Sequence, residues 1–220
     1  MSSLPIAVLL SGSGRTLQNL LDRIRDGTLP ARIAVVISSK DDAYGLTRAR
    51  EAGVPAAVVP RKRYVDDASF GRAVLAEIAP HAPGLVAMAG LIHRVLLPRE
   101  FEGRVMNIHP ALLPAFGGKG FYGERVHRAV IESGAKVSGC TVHFVDEQYD
   151  HGPIILQRTV PVLDDDTPHA LADRVFVEEC VAYPAAIRLF AEGRLRIERM
   201  RVRVIDVEKA KDVGERISDI

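Results

Sequence analysis

The chain has 220 residues, 47% of them apolar and 26% charged, with a net charge of +1. That balance suits one large or two small globular domains and leaves no global electrostatic case for nucleic acid or a membrane surface. No apolar run approaches the ~20 residues of a membrane helix, the N-terminal run lacks the basic flank of a signal peptide, and Cys140 and Cys180 have no metal-type spacing, so a cytoplasmic protein with free thiols is expected.

Pro5–Leu10 (PIAVLL) is continuously apolar, as a strand buried on both faces of a parallel sheet would be. Ser11–Thr16 (SGSGRT) then turns the chain into a helix over 16–25, with Leu17, Leu20, Leu21 and Ile24 on one face. Strand, glycine turn and helix start together make an anion cradle, because the first N–H groups of a helix have no internal partner. The dinucleotide fingerprint matches only in part, since Leu17 stands where Gly or Ala is required, and the Walker sequence is absent. A monophosphate held by Gly14, Arg15 and Thr16 fits better; a tight turn without a ligand is the alternative.

Strands are predicted at 32–38, 56–59 and 85–89, and helices at 44–52 and 66–79, the latter with Phe70, Val74, Leu75 and Ile78 inward. Such alternation predicts an α/β fold with a doubly wound parallel sheet. Gly90–Leu97 (GLIHRVLL) leaves the fourth strand at its carboxyl end. It reads equally as the wall of a pocket for a flat aromatic ligand or as a buried loop.

Val105–Pro114 (VMNIHPALLP) begins as a strand. Asn107 and His109 are two residues apart, so their side chains share a face about 7 Å apart along the strand. Pro110 cannot donate to a ladder, which ends the strand at His109. An amide and an imidazole then stand together at a strand tip, where α/β proteins place their chemistry. A buried pair that satisfy each other is the competing reading.

The glycine-rich 115–123 (AFGGKGFYG) carries Lys119 but no following Ser or Thr to hold a metal, and by composition reads as a mobile surface loop. A helix over 126–132 precedes strands at 137–145 and 154–160, joined by the acidic loop 146–152 (DEQYDHG). So short a connection predicts an antiparallel hairpin, making the sheet mixed though mostly parallel. Thr167–Pro168 signals a helix start, and the helix runs to about 190, kinked or interrupted at Pro184. Glu178 and Glu179 within it read singly as a solvated face. The charged tail from 196 to 220 is expected to add at most an edge strand, with its last residues frayed.

The segments VLLSGSGRTLQ, ISSKDDAYGLTRA, NIHPALLP, TVHFVDEQYDHGPIILQ and EECVAYP together resemble the phosphoribosylglycinamide formyltransferase family, over residues 5–195. NIHPALLP followed by HFVD and DHGPI carries the likeness to folate-dependent formyl transfer; the first two segments and EECVAYP narrow it to the glycinamide ribonucleotide enzymes. The resemblance implies a Rossmann-like formyltransferase domain over residues 1–195. It further implies transfer of a formyl group from 10-formyltetrahydrofolate, a co-substrate, to the amine of glycinamide ribonucleotide in purine biosynthesis. No metal is implied.

By the same resemblance Asn107, His109 and Asp150 are the catalytic set. Asn107 and His109 are expected to donate to the formyl oxygen, and Asp150 to assist proton movement from the amine to the folate nitrogen. The substrate phosphate falls on Gly14, Arg15 and Thr16, where many relatives have Ser-Asn for Arg15–Thr16, and the acidic residue that meets the substrate falls on Glu179. The folate pocket falls on His93, Arg94, Val95 and Leu96, on Asn107, and on Asp146, Glu147, Gln148, Tyr149 and Asp150. An arginine that some relatives use before the helix at 66–79 has no clean match among Lys62, Arg63 and Asp67. The expected partners are small molecules, with no nucleic acid or membrane, and the chain is expected to be a monomer or homodimer. Methionyl-tRNA formyltransferase, which carries a further C-terminal domain, and formyltetrahydrofolate deformylase, which carries an N-terminal one, fit the chain length less well. A nucleotide-binding module without catalysis would need no Asn107, His109 and Asp150 set.

Overall fold

The computed structural model describes residues 3–206. Nine strands form one sheet in the order β3-β2-β1-β4-β5-β6-β7-β9-β8. The first five are β1 (Leu4–Leu10), β2 (Ala31–Ser38), β3 (Ala56–Val58), β4 (Leu85–Met88) and β5 (Val105–His109). They pair in parallel, with β2 on one side of β1 and β4 on the other. The chain therefore reverses its winding between β1 and β4, and a crevice opens at the carboxyl ends of the strands there. β6 (Val137–Phe144) continues the sheet antiparallel to β5, and β7 (Ile154–Pro161) pairs antiparallel with β6, the hairpin that the short connection predicts.

Strand residues divide between two cores in step with the pleat. Ile6, Val8 and Leu10 join one core with Leu17 and Leu20 of helix α1 (Arg15–Arg25) and Tyr183 of helix α5 (Pro168–Ala191). Ala7 and Leu9 join the other, with Phe70, Val74 and Ile78 of helix α3 (Asp67–Ile78). A period of two with both faces apolar is what a central parallel strand requires. Helix α2 (Tyr44–Glu51) and helix α4 (Glu124–Glu132) complete the layers. α4 starts two residues before the predicted Val126, which places Glu124 in its first turn, where a negative charge meets the positive end of the helix dipole.

Pro184 lies inside α5 without ending it. Proline has no N–H to give the carbonyl four residues back, that of Cys180. The side-chain amide of Asn19 donates to that carbonyl instead, at 3.1 Å. The orphan is satisfied from α1, and the two helices are tied at that level. Next to it, the fully buried Tyr183 hydroxyl lies 3.0 Å from the carbonyls of both Met88 and Met106, clamping the ends of β4 and β5. Removing it in Tyr183→Phe takes away the single hydrogen that the two buried carbonyls share. A loss of about 1–3 kcal/mol is expected, read as a lower melting temperature.

The tail extends the edge of the sheet. It forms a hairpin, β8 (Leu195–Glu198) and β9 (Arg201–Val204), with β9 beside β7. Alternation in RLRIERMRVRV favours strand, and Arg199, at φ 57°, makes the tight reversal between them. The frayed end expected of the tail lies outside the described residues. Among the described residues no helix is long and apolar enough to cross a membrane.

Candidate active site

A cleft of about 300 Å³ opens over the carboxyl ends of β4 and β5. At one end are Arg15, Thr16, Phe176 and Glu179; along the other run Leu91–Val95 and residues 145, 146 and 148–150; Asn107 and His109 line it between them.

Gly14 caps α1 in a left-handed conformation, with φ 70°. A Cβ there would stand 2.6 Å from the Gly45 backbone, so the turn packs directly on α2. Arg48 of α2 fixes the turn from outside, its Nε donating to the Ser13 carbonyl at 3.0 Å. The cradle thus follows from two glycines in contact, and the first N–H groups of α1 are left for an anion. Gly14 itself is buried and does not line the cleft, whereas Arg15 and Thr16 do. The Arg15 guanidinium reaches across to α5, where it donates to Asp173 at 3.1 Å and lies 3.9 Å from the centre of the Phe176 ring. Beside it, burial pushes the Glu179 carboxyl up to about 7 against the pull of Arg15.

The structure brings Asn107, His109 and Asp150 together. Asp150 stands at φ 50°, in the left-handed region that aspartate tolerates better than most side chains. Its carboxylate receives the Gly118 N–H at 2.9 Å and the Asn107 amide at 3.4 Å, and lies 3.5 Å from Nδ1 of His109. The other ring nitrogen of His109, Nε2, donates to the Phe116 carbonyl at 2.9 Å. Both nitrogens face oxygen atoms, one of the Asp150 carboxylate and one of the Phe116 carbonyl. His109 is also buried, so Asn107 is the more open of the two toward the cleft.

The loop 115–123, read from composition as a mobile surface segment, is exposed over 119–123 and meets the site at two places. Gly118 is held by Asp150, and Phe121 and Tyr122 face the cleft. The chain after Pro110 is fixed too: Thr141 receives the Leu113 N–H at 3.0 Å and donates to the Ala111 carbonyl at 2.7 Å.

Of the expected folate residues, His93, Arg94, Val95, Asn107, Asp146, Gln148, Tyr149 and Asp150 line the cleft, but Leu96 and Glu147 do not. Leu96 faces a neighbouring hollow with Lys119 and Arg61. Glu147 offers only its carbonyl, which receives Arg94 at 2.9 Å. Arg94 also donates to Asp67 at 3.0 Å, and the other oxygen of Asp67 holds Arg61 at 3.0 Å. Arg94 therefore pins the acidic loop to α3. Asp146 serves its own loop, accepting from the Gln148 N–H and pairing with His151.

Two histidines escape a reading by motif. His143 lies opposite Asn107 across the β5–β6 ladder and is fully buried. The alternation in TVHFV places it on the same face as Thr141, which was the available signal. His127 of α4 lines the cleft near His109; its Nδ1 is buried without a partner, and burial pushes its pKa down to about 4, so the ring is neutral at ordinary pH.

Comparison with known proteins shows the family. Residues 4–187 match the family model described as Formyl transferase. Phosphoribosylglycinamide formyltransferase of Haemophilus influenzae is 40% identical over 196 residues, covering 88% of this chain and 90% of that protein. Among solved structures, glycinamide ribonucleotide transformylase 1 from Symbiobacterium toebii is 48% identical with a TM-score of 0.87, covering 93% of this chain and 95% of that one. Phosphoribosylglycinamide formyltransferase from Coxiella burnetii is 34% identical with a TM-score of 0.81, covering 92% and 93%. The chain belongs to the phosphoribosylglycinamide formyltransferase family of formyl transferases.

Proposed function

We propose that this chain transfers a formyl group from 10-formyltetrahydrofolate to the amine of glycinamide ribonucleotide, a step of purine biosynthesis. The observation that carries the reading is the meeting of Asn107, His109 and Asp150 in one cleft, which Arg15, Thr16, Glu179 and the segment 91–95 also line. The phosphate rests on the start of α1 and Arg15, and the folate ring lies along the other wall.

The substrate amine attacks the formyl carbon, and negative charge develops on the formyl oxygen. A donor aimed at that oxygen is worth about 10²–10³ in rate. Asn107 supplies one N–H by exchanging its long contact to Asp150 for the oxyanion. His109 supplies another when Nε2 is released from the Phe116 carbonyl. Asp150, in contact with both, takes the proton from the attacking amine and returns it to the folate nitrogen, which departs as its bond to the formyl carbon breaks and the oxyanion reverts to a carbonyl. This scheme needs no covalent intermediate.

Incubation with both substrates should give the formylated nucleotide and tetrahydrofolate. The dephosphorylated nucleoside should bind roughly 100-fold more weakly, since hydrogen bonds to a charged group contribute about 1.5–3 kcal/mol each. Equal affinities would remove the cradle assignment, and absence of transfer would remove the reaction.

Glu179 adds a pH signature. Below about 7 its carboxyl carries a proton, and above that it is an anionic acceptor for the substrate's N–H and O–H groups. Substrate affinity should therefore strengthen as pH rises through about 7, and Glu179→Gln should flatten that part of the profile. Superimposable profiles for the two proteins would show that Glu179 does not meet the substrate.

A further inference from the structure

We propose that His143 is a positioning residue that fixes which way the Asn107 carboxamide faces, because the β5–β6 register sets a buried ring nitrogen of His143 against the Asn107 amide nitrogen. The inference rests on the reading above that Asn107 donates to the formyl oxygen.

The pair arises from register. Asn107 and His143 are direct partners across an antiparallel ladder, so their Cβ atoms lie close on one face. Nδ1 of His143 is 2.9 Å from the Phe144 carbonyl, and Nε2 is 3.2 Å from Nδ2 of Asn107. A carbonyl only accepts, so Nδ1 carries hydrogen. Burial disfavours a second proton on this ring, which leaves Nε2 bare. A bare nitrogen needs a donor, and the Asn107 NH₂ group supplies it.

Turning the carboxamide over would point Oδ1 at two acceptors: the lone pair of His143 Nε2 and the Asp150 carboxylate, which the amide nitrogen now meets at 3.2 Å and 3.4 Å. The amide nitrogen has two hydrogens. One is committed to His143. The other points at Asp150 across a long contact, and is the one that can be redirected to a developing oxyanion at low cost. Without the His143 acceptor, only that long contact opposes rotation, and part of the population would present oxygen where a donor is required.

The test compares His143→Gln, whose side-chain oxygen can accept the same bond, with His143→Met, similar in size but a poor acceptor. In His143→Met kcat should fall roughly 10–100-fold, the range typical for outer partners that orient reacting groups, with little change in KM for either substrate. His143→Gln should recover most of that loss. In an Asn107→Ala background the His143→Met loss should shrink to a few-fold or less, because a residue acting through Asn107 has nothing left to orient. Independently of turnover, NMR should show the Asn107 side-chain NH₂ protons exchanging slowly with solvent in the native protein and faster in His143→Met.

A folded His143→Met with kcat within twofold of the parent would overturn the proposal. So would a His143→Gln impaired as deeply as His143→Met, or an undiminished loss in the Asn107→Ala background. If His143→Met does not fold, the Gln variant and the exchange measurement decide: fast exchange in the native protein rejects the role. Failure of the parent protein to transfer formyl groups would sink the proposed function and leave the NMR result to judge the His143–Asn107 contact.

Discussion

Asp150→Asn is expected to lower kcat by roughly 10²–10⁴ while leaving the chain folded. The substitution keeps shape and volume but removes the charge and turns one of two acceptor oxygens into a donor. Asp150 now meets three N–H groups: Gly118 at 2.9 Å, Asn107 at 3.4 Å, and His109 Nδ1 at 3.5 Å. One oxygen serves Gly118 and His109, the other serves Asn107. An asparagine must set its NH₂ against one of those sides, so either the loop 115–123 loses its anchor or Asn107 faces a donor. Either way one reacting group is misplaced, and the route for the proton is lost as well. Unfolding curves on the same sample separate the two effects: the midpoint should stay near that of the parent while turnover collapses. Turnover within tenfold of the parent would reject Asp150 as part of the machinery.

The second large effect is expected for Gly14→Ala, and here stability and binding fall together. At φ 70° a residue with a Cβ costs about 1–2 kcal/mol relative to glycine. The added carbon would also stand 2.6 Å from the Cα of Gly45, a backbone atom that no rotamer change can move aside. α2 would have to retreat, taking with it Arg48 and its bond to the Ser13 carbonyl. A total loss of about 2–4 kcal/mol is expected, visible as a reduced denaturation midpoint with an unchanged slope. Because the same turn aims the first N–H groups of α1, KM for the nucleotide should rise more than KM for the folate. A variant of parental stability and affinity would show that the left-handed cap and the glycine contact are not required.

His127 adds a pH dependence of the fold itself. Its folded pKa of about 4 lies below the ordinary 6.5, so the unfolded chain binds the extra proton more readily. Stability from this group is fully present above about 6.5 and is lost as pH falls toward 4. Acid should therefore weaken the packing of α4 beside His109 before it touches the central strands.

Much of this was legible in the chain. Continuous apolar runs at β1 and β2 marked strands covered on both faces, and glycine after β1 marked a helix start able to hold an anion. The spacing of Asn107 and His109, closed by Pro110, put two polar side chains on one strand face at its tip. These are local facts, written within a few residues by the two-residue pleat, the helical turn and the missing N–H of proline. The asparagine amide that stands in for the donor Pro184 lacks, and the Tyr183 hydroxyl set between β4 and β5, had no such local signature.

The sequence by itself therefore determined which segments are strands, which faces they bury and which side chains stand at the end of β5. Only the tertiary structure decided what those side chains meet: Asp150 from a loop forty-three residues on, His143 from the neighbouring strand and Phe116 from the glycine-rich loop. The reason is physical. Periodicity fixes direction along one element, whereas contact between elements depends on sheet register and loop closure, which are set by packing across the whole core.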